Sequence, residues 1–499
     1  MTRGRKLITS SLFGVVDLVF QLGISFFMMP FLIHSLGDKQ YGLWILVATF
    51  MGYYGLLDIG LSSAVSRFIS RAIGQNDKNE RKIIITTSFY TFLFLGIIAF
   101  IATLLCVYFA YIIVSSKDDL YLLRILLLIM GVSLCLAFPL RAFIGVISAN
   151  LRHYISSLIN IVMTIIRTLL IVYFVIDGFG LIAIAAITAG CSILSGLCLL
   201  FYAFKIEDAI SISPTFFKRN RVKKLFGYSI YVFVGRIADI LKYQIDSFVI
   251  AKFVTLTAVT HYGIALRLCQ YFINLISRSV SIISPIFSQE EGKGNFESIR
   301  GKYLFTTKIS SYLSMSVGIM ILLYGRPFIE RWMGQEYIDS FPVLVLLIIP
   351  SIIGMSQAPL FNVLYGISKH QIISYVNIGE GISNLILSLI LVKYYGIIGV
   401  AIGTTIPQAI TTIIIYPYYV CKVLKISLYH YYKSIITYFL ISASSLIIFW
   451  YAVNAFIRPD YLNIIILCFF QSIICCSTIV FLGFSSNERM YLLNFIRKK

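Results

Sequence analysis

The stretch Gly227–Phe253, GYSIYVFVGRIADILKYQIDSFVIAKF, is long and apolar enough to span a bilayer, yet it carries Arg236, Asp239, Lys242 and Asp246. A helix turns about 100° per residue, so these four fall inside a sector of roughly 120°, one stripe along one face. A charge near the bilayer centre costs at least about 2.5–3.5 kcal/mol, so lipid cannot cover that stripe. It must look into a bundle interior or a wet cavity. Its position in the middle of the chain makes the rest readable as two halves built around such a cavity.

Composition supports the membrane setting. A chain of 499 residues with 59% hydrophobic residues, 12% charged residues and a mean hydropathy of +0.90 is not a soluble domain. Apolar runs of about 20 residues recur from end to end, the pattern of a polytopic helical membrane protein, and no alternating pattern suggests a barrel. The basic N-terminus lacks the short apolar core and small-residue cleavage site of a signal peptide, so it reads as an uncleaved first span. Fourteen spans are expected, at 8–34, 41–68, 83–114, 120–145, 154–176, 180–204, 226–252, 258–287, 303–325, 338–364, 370–393, 397–421, 434–456 and 461–484. Connections are short, the longest being 205–225, so no extramembrane catalytic domain is expected. The nine cysteines lie in or beside apolar runs without a CxxC pair and read as inert core residues.

The basic residues give an orientation. With a cytoplasmic N-terminus, 27 Lys and Arg fall on the inner side, among them Arg67, Arg71, Arg81, Lys82, Arg141, Arg152, Lys218, Arg219 and Arg221. Seven fall outside: Lys39, Lys117, Lys252, Arg326, Arg331, Lys393 and Arg458. That bias puts both termini in the cytoplasm. The net charge of +20 is thereby read as topology, and nothing else suggests a nucleic-acid partner.

An internal repeat is also visible. Tyr41-Gly42 matches Tyr262-Gly263, which sets Ser25 opposite Asp246, and Ser70–Gly74 matches Ser288–Gly292. His153 and Asn160 match His370 and Asn377 at a constant offset of 217, and Gly180–Ala185 matches Gly396–Ala401 at 216. The fold expected is all-α: two six-helix parallel repeats around a central cavity, plus two extra C-terminal helices. The domains would be 1–205, a cytoplasmic linker 206–225, a second half 226–421, and an appendage with a tail at 422–499.

At Tyr41-Gly-Leu-Trp44, Leu57-Asp-Ile-Gly-Leu61 and Ser66-Arg67 the chain resembles the polysaccharide transporter family, within the superfamily that holds multidrug exporters and lipid II flippases. The likeness extends to the span count, the two six-span halves, the basic loop near residue 75 and Gly396–Gly399. It implies a flippase for O-antigen or capsule repeat units in a bacterial cytoplasmic membrane. The cargo so implied is an undecaprenyl-diphosphate-linked oligosaccharide, moved from the inner to the outer leaflet, with other glycan-assembly membrane proteins as candidate partners.

Polar stripes recur on other spans. His153, Asn160, Thr164 and Arg167 line up on span 5. Arg267, Gln270, Asn274 and Arg278 line up on span 8, and His370, Asn377, Glu380, Asn384 and Ser388 on span 11. The repeat superposes spans 5 and 11, with Arg167 becoming Asn384. Arg124 and Lys308 sit near span ends and can reach the interface. The candidate cations for a diphosphate are Arg167, Arg236, Lys242, Arg267 and Arg278, because the guanidinium fork can grip phosphate oxygens in pairs. Asp17, Asp58, Asp239, Asp246 and Glu380 are the cavity carboxylates and the candidates for ion coupling. Asn160, Asn274, Asn377 and Asn384 would meet sugar hydroxyls. The bland alternative is internal pairing, as Arg236 with Asp239 or Lys242 with Asp246 at helical spacing, and Asp58 as a packing residue bonded to a nearby hydroxyl. Five bases against five acids make the cavity neutral, which weakens a drug-exporter reading; a lipid II flippase would want the same cations. A membrane glycan polymerase would need a larger outward loop. No metal-ligand cluster, cofactor motif or nucleophile elbow is visible, so the reading is a transporter and not an enzyme.

Overall fold

The structure, a computed structural model, describes residues 3–54, 58, 61–114, 116–225, 244–281, 287, 290–291, 294–367, 369, 371–454 and 461–478. All regular structure among them is helical. Among the described residues eight helices are long and apolar enough to cross a membrane, or nine if one bent pair counts as a span. The chain divides into two compact units, 1–260 and 261–499.

In the first unit, α1 (Arg3–Leu36) packs on α7 (His153–Ile176), and α4 (Lys78–Phe109) packs on α5 (Lys117–Ala137). The α4–α5 crossing is close because Gly131 faces Thr103; a Cβ on Gly131 would lie 2.3 Å from the threonine methyl. Small residues at such crossings let backbones approach where lipid gives no hydrophobic drive between helices. Of the expected span 41–68 the described residues are α2 (Asp38–Tyr54), Asp58 and α3 (Leu61–Gly74). One expected span is broken here. Span 120–145 ends at Ala137, and Pro139–Arg141 forms a 3₁₀ turn before α6 (Ala142–Ala149), since proline cannot donate into the preceding turn. Helix α8 (Gly180–Ile206) starts at a glycine with φ +63°, a left-handed conformation that side-chain-bearing residues adopt at a cost. A core of Leu61, Val65, Phe92, Phe138, Phe143 and Val146 joins α3, α4 and α6.

The segment after α8 is fastened to α4. Arg81 meets Glu207 at 2.6 Å and Arg221 meets Glu80 at 2.8 Å. Thr86 and Tyr90 donate to the carbonyls of Ser211 and Ile212, and the Lys218 amide donates to Thr87. Helix α9 (Ile245–Phe253) and the first turns of α10 (Leu256–Ser281) also belong to this unit. Thr260 donates to the Asp38 carbonyl at 2.7 Å, and a Cβ on Gly42 would strike the Leu256 carbonyl at 2.0 Å.

The second unit repeats the pattern. Helix α11 (Phe296–Trp332) packs on α12 (Ser340–Ser356), which bends by 47° into α13 (Pro359–Gly366). This break answers the one after α5. The long α14 (Gln371–Ile410) kinks at Gly396, φ +56°, the repeat partner of Gly180. After one π turn comes α15 (Tyr416–Leu424), followed by α16 (Leu428–Asn454) and α17 (Tyr461–Thr478). The first appended helix is tied in: Tyr431 stacks on Tyr303 at 6.2 Å and donates to Gln357, itself bonded to the Thr412 carbonyl.

Candidate functional site

Inside the first unit lies a cavity of about 500 Å³, walled by α5, the break after it, α6, α7 and α8, with Gln21 of α1 and Met51 of α2 at its edge. The α7 stripe places Asn160, Thr164 and Arg167 in this wall together. They recur at helical spacing, so one face carries all three. Facing them on α8 are Thr188, Ser192 and Ser195. Ser133 of α5 donates to the Ala189 carbonyl at 3.1 Å and fixes α5 against α8.

The second cation is Arg141. It stands at the break between α5 and α6, its guanidinium 4.7 Å from the centre of the buried Phe138 ring. One Nη lies 3.9 Å from an Asp58 oxygen, and about a third of the side chain is exposed. Asp58 is held by Ser62, whose amide and hydroxyl donate to it at 3.2 Å, so it caps the first turn of α3. Asp17 accepts from Gln21 at 2.8 Å. Among the described residues that line the cavity there is no carboxylate, while Arg141 and Arg167 both line it. Two cations among hydroxyls and amides make a site for an anion that also carries many hydrogen-bonding groups.

By charge and position alone Arg141 belongs with the inner-side basic residues, and the α8 hydroxyls share no stripe with a charge. Pro139 before Arg141, and hydroxyls at 188, 192 and 195 on one helix face, are the signals that point to them.

The other candidates are distributed as follows. Arg236, Asp239 and Lys242 lie outside the described residues. Asp246 is buried in the first turn of α9. Arg267 and Arg278 are exposed on α10, with Asn274 partly buried between them. In the second unit Glu380 is buried and accepts from Thr411 at 2.9 Å. Asn377 accepts from Tyr416. Asn384 is buried and accepts from Ser388 at 2.8 Å and Thr404 at 3.3 Å. Among the described residues no cluster of His, Cys, Asp and Glu could hold a metal ion.

Comparison with known proteins places these features in a family. Residues 36–342 match the polysaccharide biosynthesis protein family. A Shigella flexneri protein assigned as an O-antigen transporter is 24% identical over 384 residues, 76% of this chain and 89% of that protein. A Haloferax volcanii protein assigned as a flippase of low-salt glycan biosynthesis is 23% identical over 397 residues, 79% of this chain and 80% of that one. The lipid II flippase MurJ, solved in an inward closed conformation, shares the fold with a TM-score of 0.73 at 16% identity, over 94% of this chain and 98% of that chain. With more than half its length matched and apolar helices throughout, the chain is a multi-pass membrane protein that belongs to the polysaccharide biosynthesis protein family.

Proposed function

We propose that the protein is a flippase that moves an oligosaccharide repeat unit, carried on a lipid diphosphate of the undecaprenyl type, across the cytoplasmic membrane for O-antigen or capsule assembly. The observation that carries this reading is the first unit's cavity, with Arg141 and Arg167 in its wall and no carboxylate among the described residues that line it. The two guanidinium groups suit the diphosphate, and Asn160, Thr164, Thr188, Ser192 and Ser195 suit the sugars. The relatives assigned as an O-antigen transporter and a glycan flippase support the same cargo class. The basic-residue bias supports cytoplasmic termini, and the proposed movement is from the inner to the outer leaflet.

A multidrug exporter is the rival from the same superfamily. A cationic drug would be repelled by these two arginines, so the wall favours an anion. A lipid II flippase carries the same diphosphate and is separated only by the sugar. The test is a proteoliposome flipping assay with an undecaprenyl-diphosphate oligosaccharide, an undecaprenyl-diphosphate muropeptide and a lipophilic cation. We expect movement of the oligosaccharide lipid by the parent and none by Arg167→Ala. Movement of the cation alone overturns the flippase reading, and movement of the muropeptide alone replaces its cargo.

A further inference from the structure

We infer that Asp58 is a positioning residue that holds Arg141 as an exchangeable cation and thereby limits how tightly the cavity holds an anion. This rests on the proposed diphosphate cargo and deepens it.

The two residues stand at the starts of neighbouring helices. Arg141 ends the 3₁₀ turn before α6, and Asp58 precedes α3. Their spacing is set by α3 packing on α6, where a Cβ on Gly145 would lie 2.6 Å from a Val65 methyl. Asp58 does not line the cavity, whereas Arg141 does. Both carboxylate oxygens accept from the Ser62 hydroxyl at 3.2 Å, and one also takes the Ser62 amide. The acid is therefore anchored to α3 and cannot follow the arginine into the cavity.

Arg141, by contrast, is held loosely. Its 3.9 Å approach to Asp58 is longer than the 2.6 and 2.8 Å of Arg81–Glu207 and Arg221–Glu80 in the same unit. The Phe138 ring lies beside the guanidinium and orients it without using its N–H groups. A long, half-wet ion pair contributes little, so the fork stays open to a better partner. A diphosphate, with its charge concentrated on adjacent phosphoryl groups, outcompetes Asp58. A single phosphate gains less against the same competitor. Asp58 also repels whatever anion sits on Arg141, which limits affinity and favours release after transport. When cargo takes the arginine, the partners left to Asp58 that we identify lie in the first turn of α3, so occupancy is reported to the start of that helix.

Asparagine at 58 separates the two roles of this acid, because it can still accept from the Ser62 amide but carries no charge. Binding of undecaprenyl diphosphate and undecaprenyl monophosphate would be measured on the full chain in nanodiscs, with flipping measured in proteoliposomes. Asp58→Asn should tighten binding of both lipids about tenfold, the scale expected for removing a like charge a few ångströms away. The gain should be no smaller for the diphosphate, which carries more charge for Asp58 to repel, and turnover should slow. Asp58→Ser, another capping residue, should behave alike and stands in if the asparagine variant does not accumulate. In an Arg141→Gln background the gain should vanish. A parent that binds neither lipid would refute the proposed function. A parent that binds, with both Asp58 variants unchanged or weaker, would show that the acid only caps α3 and would overturn this inference.

Discussion

The two halves carry the same helices and use corresponding residues in opposite ways. At the repeat offset of 217, Arg167 corresponds to Asn384, Met163 to Glu380 and Asn160 to Asn377; at 216, Thr188 corresponds to Thr404 and Ser195 to Thr411. In the first unit all five line the cavity. In the second, the same positions bond one another: Thr404 to Asn384, Thr411 to Glu380, and Asn377 to Tyr416, whose counterpart in the first half is Leu200. Helix spacing supplies part of the reason. Gly403 lies so close to Ser388 that a Cβ would sit 2.4 Å from its hydroxyl oxygen, and the first half has Ile187 and Ile171 at those positions. Two isoleucines need room that a glycine and a serine do not. The comparison teaches that one repeated scaffold can be wet in one copy and closed in the other through a few side-chain volumes.

The largest effect should come from forcing one half to imitate the other. Asn384→Arg puts a guanidinium where the side chain is buried and its neighbours are already bonded, at a cost of several kcal/mol. Folded protein recovered from membranes should fall sharply; normal yield and thermal stability would break the comparison. The reverse exchange, Arg167→Asn, opens nothing and strains nothing, so abundance should hold while flipping of the lipid-diphosphate oligosaccharide drops roughly a hundredfold, the scale of a lost charge-assisted contact. Arg167→Lys should recover only part, because a point charge cannot make the paired grip. Wild-type flipping by Arg167→Asn would remove this cavity from the transport path.

Much of this was legible in the sequence, and the losses have identifiable causes. Hydrophobic runs gave the all-helical membrane class, and the α7 stripe brought Asn160, Thr164 and Arg167 to one wall because helical phase survives folding. Hydropathy alone could not see that 120–145 is broken, since a break flanked by apolar residues leaves the average unchanged; Pro139 was the local cue. Arg141 is basic and near a span end, so topology absorbed it. The 207–225 segment reads as a loose connection by composition. Its attachment to α4 depends on Glu80, Arg81, Thr86 and Tyr90, more than a hundred residues away in the chain. The difference between Arg167 in a wall and Asn384 in a closed network depends on Gly403 and Ile187, side chains on a neighbouring helix that no single stripe reveals.

Gly180 and Gly396 offer a control in which the halves should agree. Both have positive φ, and a Cβ on either would meet nothing within 4 Å, so the penalty for alanine is backbone strain alone. Gly180→Ala and Gly396→Ala should each destabilise by about 1–3 kcal/mol, seen as similar shifts in thermal unfolding in detergent. A large difference between the two would mean that the repeat is not conformational at this turn.

The smallest effect, and the finest test of the comparison, is the removal of one hydroxyl from each half. Thr404→Val takes a donor from the buried Asn384 oxygen and leaves an apolar methyl facing it. Ser388 still donates to that oxygen, so the loss should be near 1 kcal/mol of stability, with lipid binding unchanged. Thr188→Val makes the same chemical change on a cavity wall. Water can satisfy whatever Thr188 bonded there, so stability should move by less than about 0.5 kcal/mol. Binding of the oligosaccharide lipid should instead weaken a few-fold, because a sugar hydroxyl loses a partner, while binding of bare undecaprenyl diphosphate should not change. The two threonines thus predict a crossed pattern: stability without binding at 404, and binding without stability at 188. Equal stability losses at both would mean that Thr188 is as closed in as its counterpart, and a binding loss at 188 that also appears with the bare diphosphate would assign that wall to the phosphates and not to the sugars.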